Sequence, residues 1–146
     1  MAGMPISEFA DRINEIMPLI MRNFLRQQTK EFYKTKITIP QFGILDYLSR
    51  EGELKMTDIS KMLNVTTAAV TGIVDKLVRY GYVMRKPDTE DRRIIKVKIT
   101  AKGNDIVRKM IEHRRQMIIN MFDKISEKER EEYLGILNHI KEHLTE

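Results

Sequence analysis

Asp91 and Arg93 stand two residues apart in the stretch "PDTEDRRIIKVKIT". At that spacing a carboxylate can accept parallel hydrogen bonds from a guanidinium and hold it as a fixed fork. An arginine ordered in advance loses less side-chain entropy when it meets a partner. Other residue types that could do chemistry are sparse. His139 and His143 lie four apart, a spacing that can hold zinc on a helix. Such a pair is more often an exposed helix face, and no metal site is expected. There is no cysteine, which excludes disulfides, thiolate metal sites and thiol switches. Ser7, Ser49, Ser60 and Ser126 have structural uses or no partner base. No Gly-rich phosphate loop, nucleophile–base signature or catalytic acid pair is present. An enzyme and a bound cofactor are therefore not expected.

Charge placement says more than its amount. Between Lys55 and Lys98 there are ten Lys/Arg against five Asp/Glu, which equals the whole net charge of +5. The sixteen bases and sixteen acids elsewhere cancel. A local basic excess points to a polyanion, most often nucleic acid.

The elements that must position these charges can be read from periodicity. In "KMTDISKMLNVTTAAVTGIVDKLVRYGYV", Thr57 is predicted to cap a short helix, with Asp58 in its first turn. Asn64 suits a left-handed helix end, and Thr66 caps the next helix, from about Thr67 to Tyr80. Val65 and Val70 have the spacing of a hydrophobic staple. The pattern is helix, short turn, helix. Val70, Ile73, Val74 and Leu77 form the buried side of the second helix. Ala68, Thr71, Gly72, Asp75, Lys76 and Arg79 form the other side. That face is small and polar towards its N-terminus, which suits close approach to a groove: threonine can hydrogen-bond, alanine can touch a thymine methyl, and glycine lets a backbone come near.

Gly81 ends this helix. "YVMRK" (82–86) and "IIKVKI" (94–99) then alternate at period two and predict a hairpin with an exposed, charged tip. A two-stranded wing beside a helix-turn-helix reaches DNA, and an arginine at its tip can enter the narrow minor groove. The expected DNA-binding residues are Thr66, Thr67, Ala68, Thr71, Gly72, Lys76, Arg79, Arg92 and Arg93, with Asp91 anchoring the wing arginine.

The flanks read as amphipathic helices. Phe9, Ile13, Ile16, Met17, Ile20, Met21, Phe24 and Leu25 form a stripe from Ser7, a plausible N-cap, to about Phe32. Pro18 predicts a kink or break near residues 14–17. A short helix follows, with Pro40 near its start and Gly52 at its end. A long helix runs from Thr100 to about Lys124. "SEKE" (126–129) is a capping box for a last helix carrying Tyr133, Leu137, Ile140 and Leu144. So much apolar helix at both ends is read as a symmetric dimer interface, against the alternative of an ordinary monomeric core.

The segment "TDISKMLNVTTAAVTGIVDKLVRYGYVMRKPDTEDRRIIKVKITAKG" resembles the winged helix-turn-helix of MarR-type regulators. The family pattern is matched at Val70-Thr71, Asp75-Lys76-Leu77, Gly81-Tyr82-Val83, Asp91-Arg92-Arg93, and Ile99-Thr100 with Gly103. Ile99 stands where the family has leucine, and Pro18 departs from its first helix. The resemblance implies a mainly α fold with a small β wing, as one domain over residues 1–146. Residues 1–36 and 100–146 would form a dimerisation lobe, and 37–99 a winged helix-turn-helix DNA-binding lobe. It also implies a homodimer on a pseudo-palindromic operator in double-stranded DNA. Carried over, Arg93 is the minor-groove arginine. The family usually represses transcription, and many members release DNA on binding a small aromatic or phenolic acid; no effector residues are assigned here. The rival reading is a winged-helix module that docks proteins, which should instead show exposed aromatic or aliphatic anchors on the recognition face. No apolar run is long enough to span a bilayer and no signal-peptide core is present, so a cytoplasmic protein with no membrane partner is expected.

Overall fold

A computed structural model describes residues 3–144. The elements run α1 (Ile6–Thr35), α2 (Ile39–Glu51), β1 (Glu53–Lys55), α3 (Met56–Leu63), α4 (Thr67–Arg79), β2 (Val83–Pro87), β3 (Ile95–Ile99), α5 (Ala101–Phe122) and α6 (Glu127–Leu144). The fold is mainly α with a small antiparallel sheet. The chain forms two compact units, Met1–Glu112 and His113–Glu146, and the boundary falls inside α5.

The core of the first unit is built from apolar residues that α2, α3, α4 and the sheet turn inward. Ile44, Leu45, Leu48, Ile59, Val70, Val74, Leu77 and Val97 are fully buried. Each contributes about 1.5–3 kcal/mol relative to remaining in water. The four- and three-residue steps of Val70, Val74 and Leu77 give α4 one buried side, so its other side is presented outward. Phe32, near the end of α1, joins this core and meets Phe42 edge-to-face, with ring centroids 5.7 Å apart.

Local chemistry sets the helix ends. Thr38 accepts from the Gln41 amide while Gln41 Oε1 accepts from the Thr38 amide, and Pro40 occupies the first turn of α2. Gly52 closes α2 at φ 89°, a conformation that favours glycine. The predicted box at α6 forms: the Glu129 amide donates to Ser126 Oγ at 3.3 Å, and the Ser126 amide to Glu129 Oε2 at 2.9 Å. Ser126 Oγ also donates to Glu129 Oε2 at 2.7 Å, and this bond first, with that of the Ser126 amide, holds the Glu129 carboxyl below its ordinary range.

Four expectations are corrected. The helix α1 runs unbroken through Pro18, so the break near residues 14–17 does not occur. Proline removes one amide from the ladder, and long helical stretches on both sides carry it on. Its N-cap is Pro5, not Ser7, which lies inside the first turn. The cap of α3 is Lys55 rather than Thr57; Asp58 Oδ2 accepts from the Lys55 amide at 3.3 Å. Finally, the hairpin is not alone. The three residues of β1 pair antiparallel with β3 (Glu53 with Lys98, Leu54 with Val97), giving the order β1-β3-β2.

Candidate nucleic-acid interface

The turn between α3 and α4 is fixed from both sides. Asn64 takes the left-handed conformation (φ 51°, ψ 49°). Ser60 Oγ donates to the Val65 carbonyl at 2.6 Å, and the Val65 amide donates to the Ser60 carbonyl at 3.2 Å. Thr66 Oγ1 then accepts from the Ala69 amide at 3.2 Å and caps α4. The turn therefore sets the angle at which α4 leaves α3. Val70 is fully buried beyond the cap while Val65 stays 37% exposed, so the staple is one-sided.

Thr66, Thr67, Ala68, Thr71, Gly72, Lys76 and Arg79 are all exposed on α4 or its cap. Thr71 Oγ1 donates to the Thr67 carbonyl at 3.0 Å, which leaves its lone pairs facing outward. A Cβ added at Gly72 would meet nothing within 4 Å. Glycine in a helix interior costs about 1 kcal/mol relative to alanine, and nothing inside the chain requires it here.

The wing carries the predicted fork. Arg93 donates from Nε to Asp91 Oδ1 at 3.1 Å and from Nη2 to Asp91 Oδ2 at 3.0 Å; its amide also donates to Oδ1 at 3.1 Å. The Arg93 side chain is nonetheless 91% exposed. Hydrogen bonding to Arg93 holds the Asp91 carboxyl below its usual range, and the same bonds raise the Arg93 guanidinium. The turn itself closes through Asp88 N to Ile94 O at 2.8 Å and Ile94 N to Asp91 O at 3.0 Å. Arg92 is exposed beside it.

The other wing charges are largely paired across the strands. Glu53 on β1 pairs with Lys86 on β2 at 2.5 Å and reaches Lys96 on β3 at 3.9 Å; Lys96 also pairs with Asp88 at 3.0 Å. Glu53 is held below its ordinary range chiefly by the Lys86 hydrogen bond, and Asp88 by that of Lys96. Among the described residues Lys76, Arg79 and Arg92 form no ion pair.

Two contacts were not anticipated from the sequence. Arg85 on β2 reaches α4, where Nη2 donates to Asp75 Oδ1 at 2.5 Å and to the Thr71 carbonyl at 3.4 Å. No local spacing rule links residues ten apart across a helix end and a turn. The second contact is the junction with α5. Thr100 Oγ1 donates to the Gly81 carbonyl at 2.6 Å and accepts from the Gly103 amide at 3.1 Å. A Cβ at Gly103 would overlap the Tyr82 carbonyl, so this glycine permits the close approach. The Thr-x-x-Gly pattern is the sequence trace of that junction.

An open groove of about 530 Å³ lies between α4, the start of α3 and the wing; Thr71, Asp75, Arg85, Arg93 and Ile95 are among its lining residues. A polar helix with a shaped edge, a strand pair beside it and a fixed arginine at its tip is the geometry of a winged helix-turn-helix.

Comparison with known proteins agrees. A sequence model of the MarR family matches residues 37–95. The uncharacterized HTH-type transcriptional regulator YfiV of Bacillus subtilis (strain 168) is 30% identical over 115 residues, covering 77% of this chain and 72% of YfiV. The chain belongs to the MarR family. The HTH-type transcriptional repressor YetL of the same organism is 27% identical over 133 residues, covering 91% of this chain and 77% of YetL. In fold, a MarR family protein from Bacillus stearothermophilus superposes with a TM-score of 0.82 at 24% identity, covering 99% of this chain and all of that one. This MarR-family chain is a DNA-binding transcriptional regulator, and its relatives are named as regulators rather than enzymes. Among the described residues no helix is long and apolar enough to cross a membrane.

Proposed function

We propose that this MarR-family chain acts as a homodimer on a pseudo-palindromic operator and represses transcription until a small aromatic acid releases it. In this reading α4 enters the major groove. Thr66, Thr67, Ala68, Thr71 and Gly72 lie at base edges and nearby backbone, and Lys76 and Arg79 at phosphates. Arg93 enters the flanking minor groove with Arg92 beside it. The observation that carries the reading is the Asp91–Arg93 fork: a guanidinium tied at two points, with its own backbone amide on the same carboxylate, yet 91% exposed is ordered for a partner outside the chain. The rival protein-docking reading calls for apolar anchors, and the α4 face offers Thr, Ala, Gly, Lys and Arg instead.

Support for the dimer comes from apolar surface. Ile16, Leu19, Ile20 and Leu25 of α1 are exposed, and α6 has no buried residue although it carries Leu134, Ile136, Leu137 and Ile140. Two recognition helices of such a dimer should sit ~34 Å apart, one turn of DNA. Repression is the role named for the relative YetL. The effector class rests on the family resemblance.

Selection from random double-stranded DNA tests the reading. The expected result is an enriched inverted repeat with half-sites about one turn apart, bound by two chains. Titration of benzoate into that complex should then release the DNA. Absence of any enriched sequence, with only weak salt-sensitive binding, would sink the proposal.

A further inference from the structure

We infer that Arg85 is a positioning residue for DNA recognition: it clamps the wing to α4 through Asp75 and the Thr71 carbonyl, and so sets the angle between the two DNA-reading elements. The inference rests on the proposed DNA-binding role and adds a residue to it.

Three observations carry it. Arg85 Nη2 bridges two acceptors on α4, the Asp75 carboxylate at 2.5 Å and the Thr71 carbonyl at 3.4 Å. The two acceptors are neighbours, because the Thr71 carbonyl points along the helix towards residue 75, so one guanidinium nitrogen is held by a side chain and by the backbone of α4 together. Second, the Arg85 side chain is only 32% exposed, against 91% for Arg93. The two arginines of the groove thus have opposite dispositions: Arg93 points out on an anchor from its own turn, and Arg85 is spent on a different element. Third, Thr71 belongs to the face proposed to read DNA, so any slack between strand and helix is transmitted directly to that face. Side-chain order at a recognition surface lowers the entropy cost of binding.

The clamp makes a counter-intuitive demand on Asp75. An acid beside a DNA-reading helix repels phosphate, and simple electrostatics predicts that its removal tightens binding. If its work is to hold Arg85, removal weakens binding instead.

The test uses the full chain in two measurements. In the first, the selected operator is titrated with wild type, Asp75→Asn, Arg85→Gln and the double variant across a salt series. Each single variant is expected to weaken operator binding about tenfold, and the double no further, because both break one interaction. The slope of log affinity against log salt is expected to stay at the wild-type value. Tighter binding by Asp75→Asn, or an Arg85→Gln slope smaller by about one, would show that Arg85 contacts a phosphate and would overturn the clamp. In the second, no DNA is present. Because the chain has no cysteine, spin labels can be placed at Val78→Cys and Thr89→Cys, on α4 and the wing tip. The α4–wing distance distribution is expected to broaden in Arg85→Gln and Asp75→Asn; unchanged widths would refute the clamp. If wild type selects no operator, the proposed function fails, and the distance measurement still decides the clamp by itself.

Discussion

The α4–wing surface and the long terminal helices use exposure in opposite ways. On the first, Val78, Met84 and Ile95 are exposed, but the surface is mainly polar and several of its charges are tied in place by neighbours in the same chain: Arg93 by Asp91, Arg85 by Asp75, Lys96 by Asp88. On α1 and on α6 large apolar side chains are exposed among the charged ones, with Leu19 at 63% and Leu134 at 59%. A tied polar surface is complete before it meets its partner. An apolar face is not complete, because leaving it in water forfeits about 1.5–3 kcal/mol per large side chain. The first region is built to read something, the second to be covered by something.

The largest effect should come from breaking the second region. Leu134→Glu puts a charge into a face that the proposed dimer buries. Sedimentation velocity is expected to show monomers, with operator affinity down by about 100-fold because each half-site is then held separately. A dimer that persists, with full affinity, would remove α6 from the interface.

Breaking the tied arginine should cost less. Arg93→Ala is expected to weaken operator binding by about 1–3 kcal/mol. Asp91→Ala should act in the same direction by a smaller amount, although it removes a negative charge. Fluorescence anisotropy measures both. Tighter binding by Asp91→Ala would mean that the acid does not aim the base.

Gly72 sharpens the contrast by separating stability from recognition. Gly72→Ala has open space for its Cβ and should stabilise the fold by about 0.5–1 kcal/mol, seen as a higher Tm. The same methyl is expected to weaken operator binding if DNA approaches the backbone there. A stabilised variant with unchanged affinity would place the groove elsewhere along α4.

The smallest effect concerns pH. The Asp91 carboxyl is depressed by its bonds to Arg93. A depressed carboxylate keeps its pairing above its unfolded pKa and loses it only as pH falls through the lower folded value. The ratio of wild-type to Asp91→Ala affinity should therefore stay level from about pH 5 to 8. A ratio that falls within that range would show that the pairing titrates there and that the fork is not holding the acid.

Legibility followed sequence distance. Asn64, the Thr66 cap, Gly81 at the end of α4, the Ser126–Glu129 box and the Asp91–Arg93 fork involve residues at most three apart, and each is found where local chemistry predicts it. The caps of α1 and α3 each lie two residues before the expected position, because several neighbouring residues could serve and the backbone chose among them. β1 was invisible: three residues hold too little pattern, and its strand identity comes from pairing with β3, more than forty residues later. The Glu53 pairs with Lys86 and Lys96 and the Arg85–Asp75 clamp were hidden for the same reason.

By itself the sequence determined the order of elements, the buried side of α4, the basic middle and the aimed wing arginine, because periodicity, caps and short-range charge pairs act within a turn or two of chain. Only the tertiary structure decided that the two wing strands join β1 in a three-stranded sheet with β3 at its centre, which of its cations are already paired, and that Arg85 bonds to α4. Those outcomes depend on which distant backbones are brought within hydrogen-bonding reach of about 3 Å, and no local spacing in a chain records that.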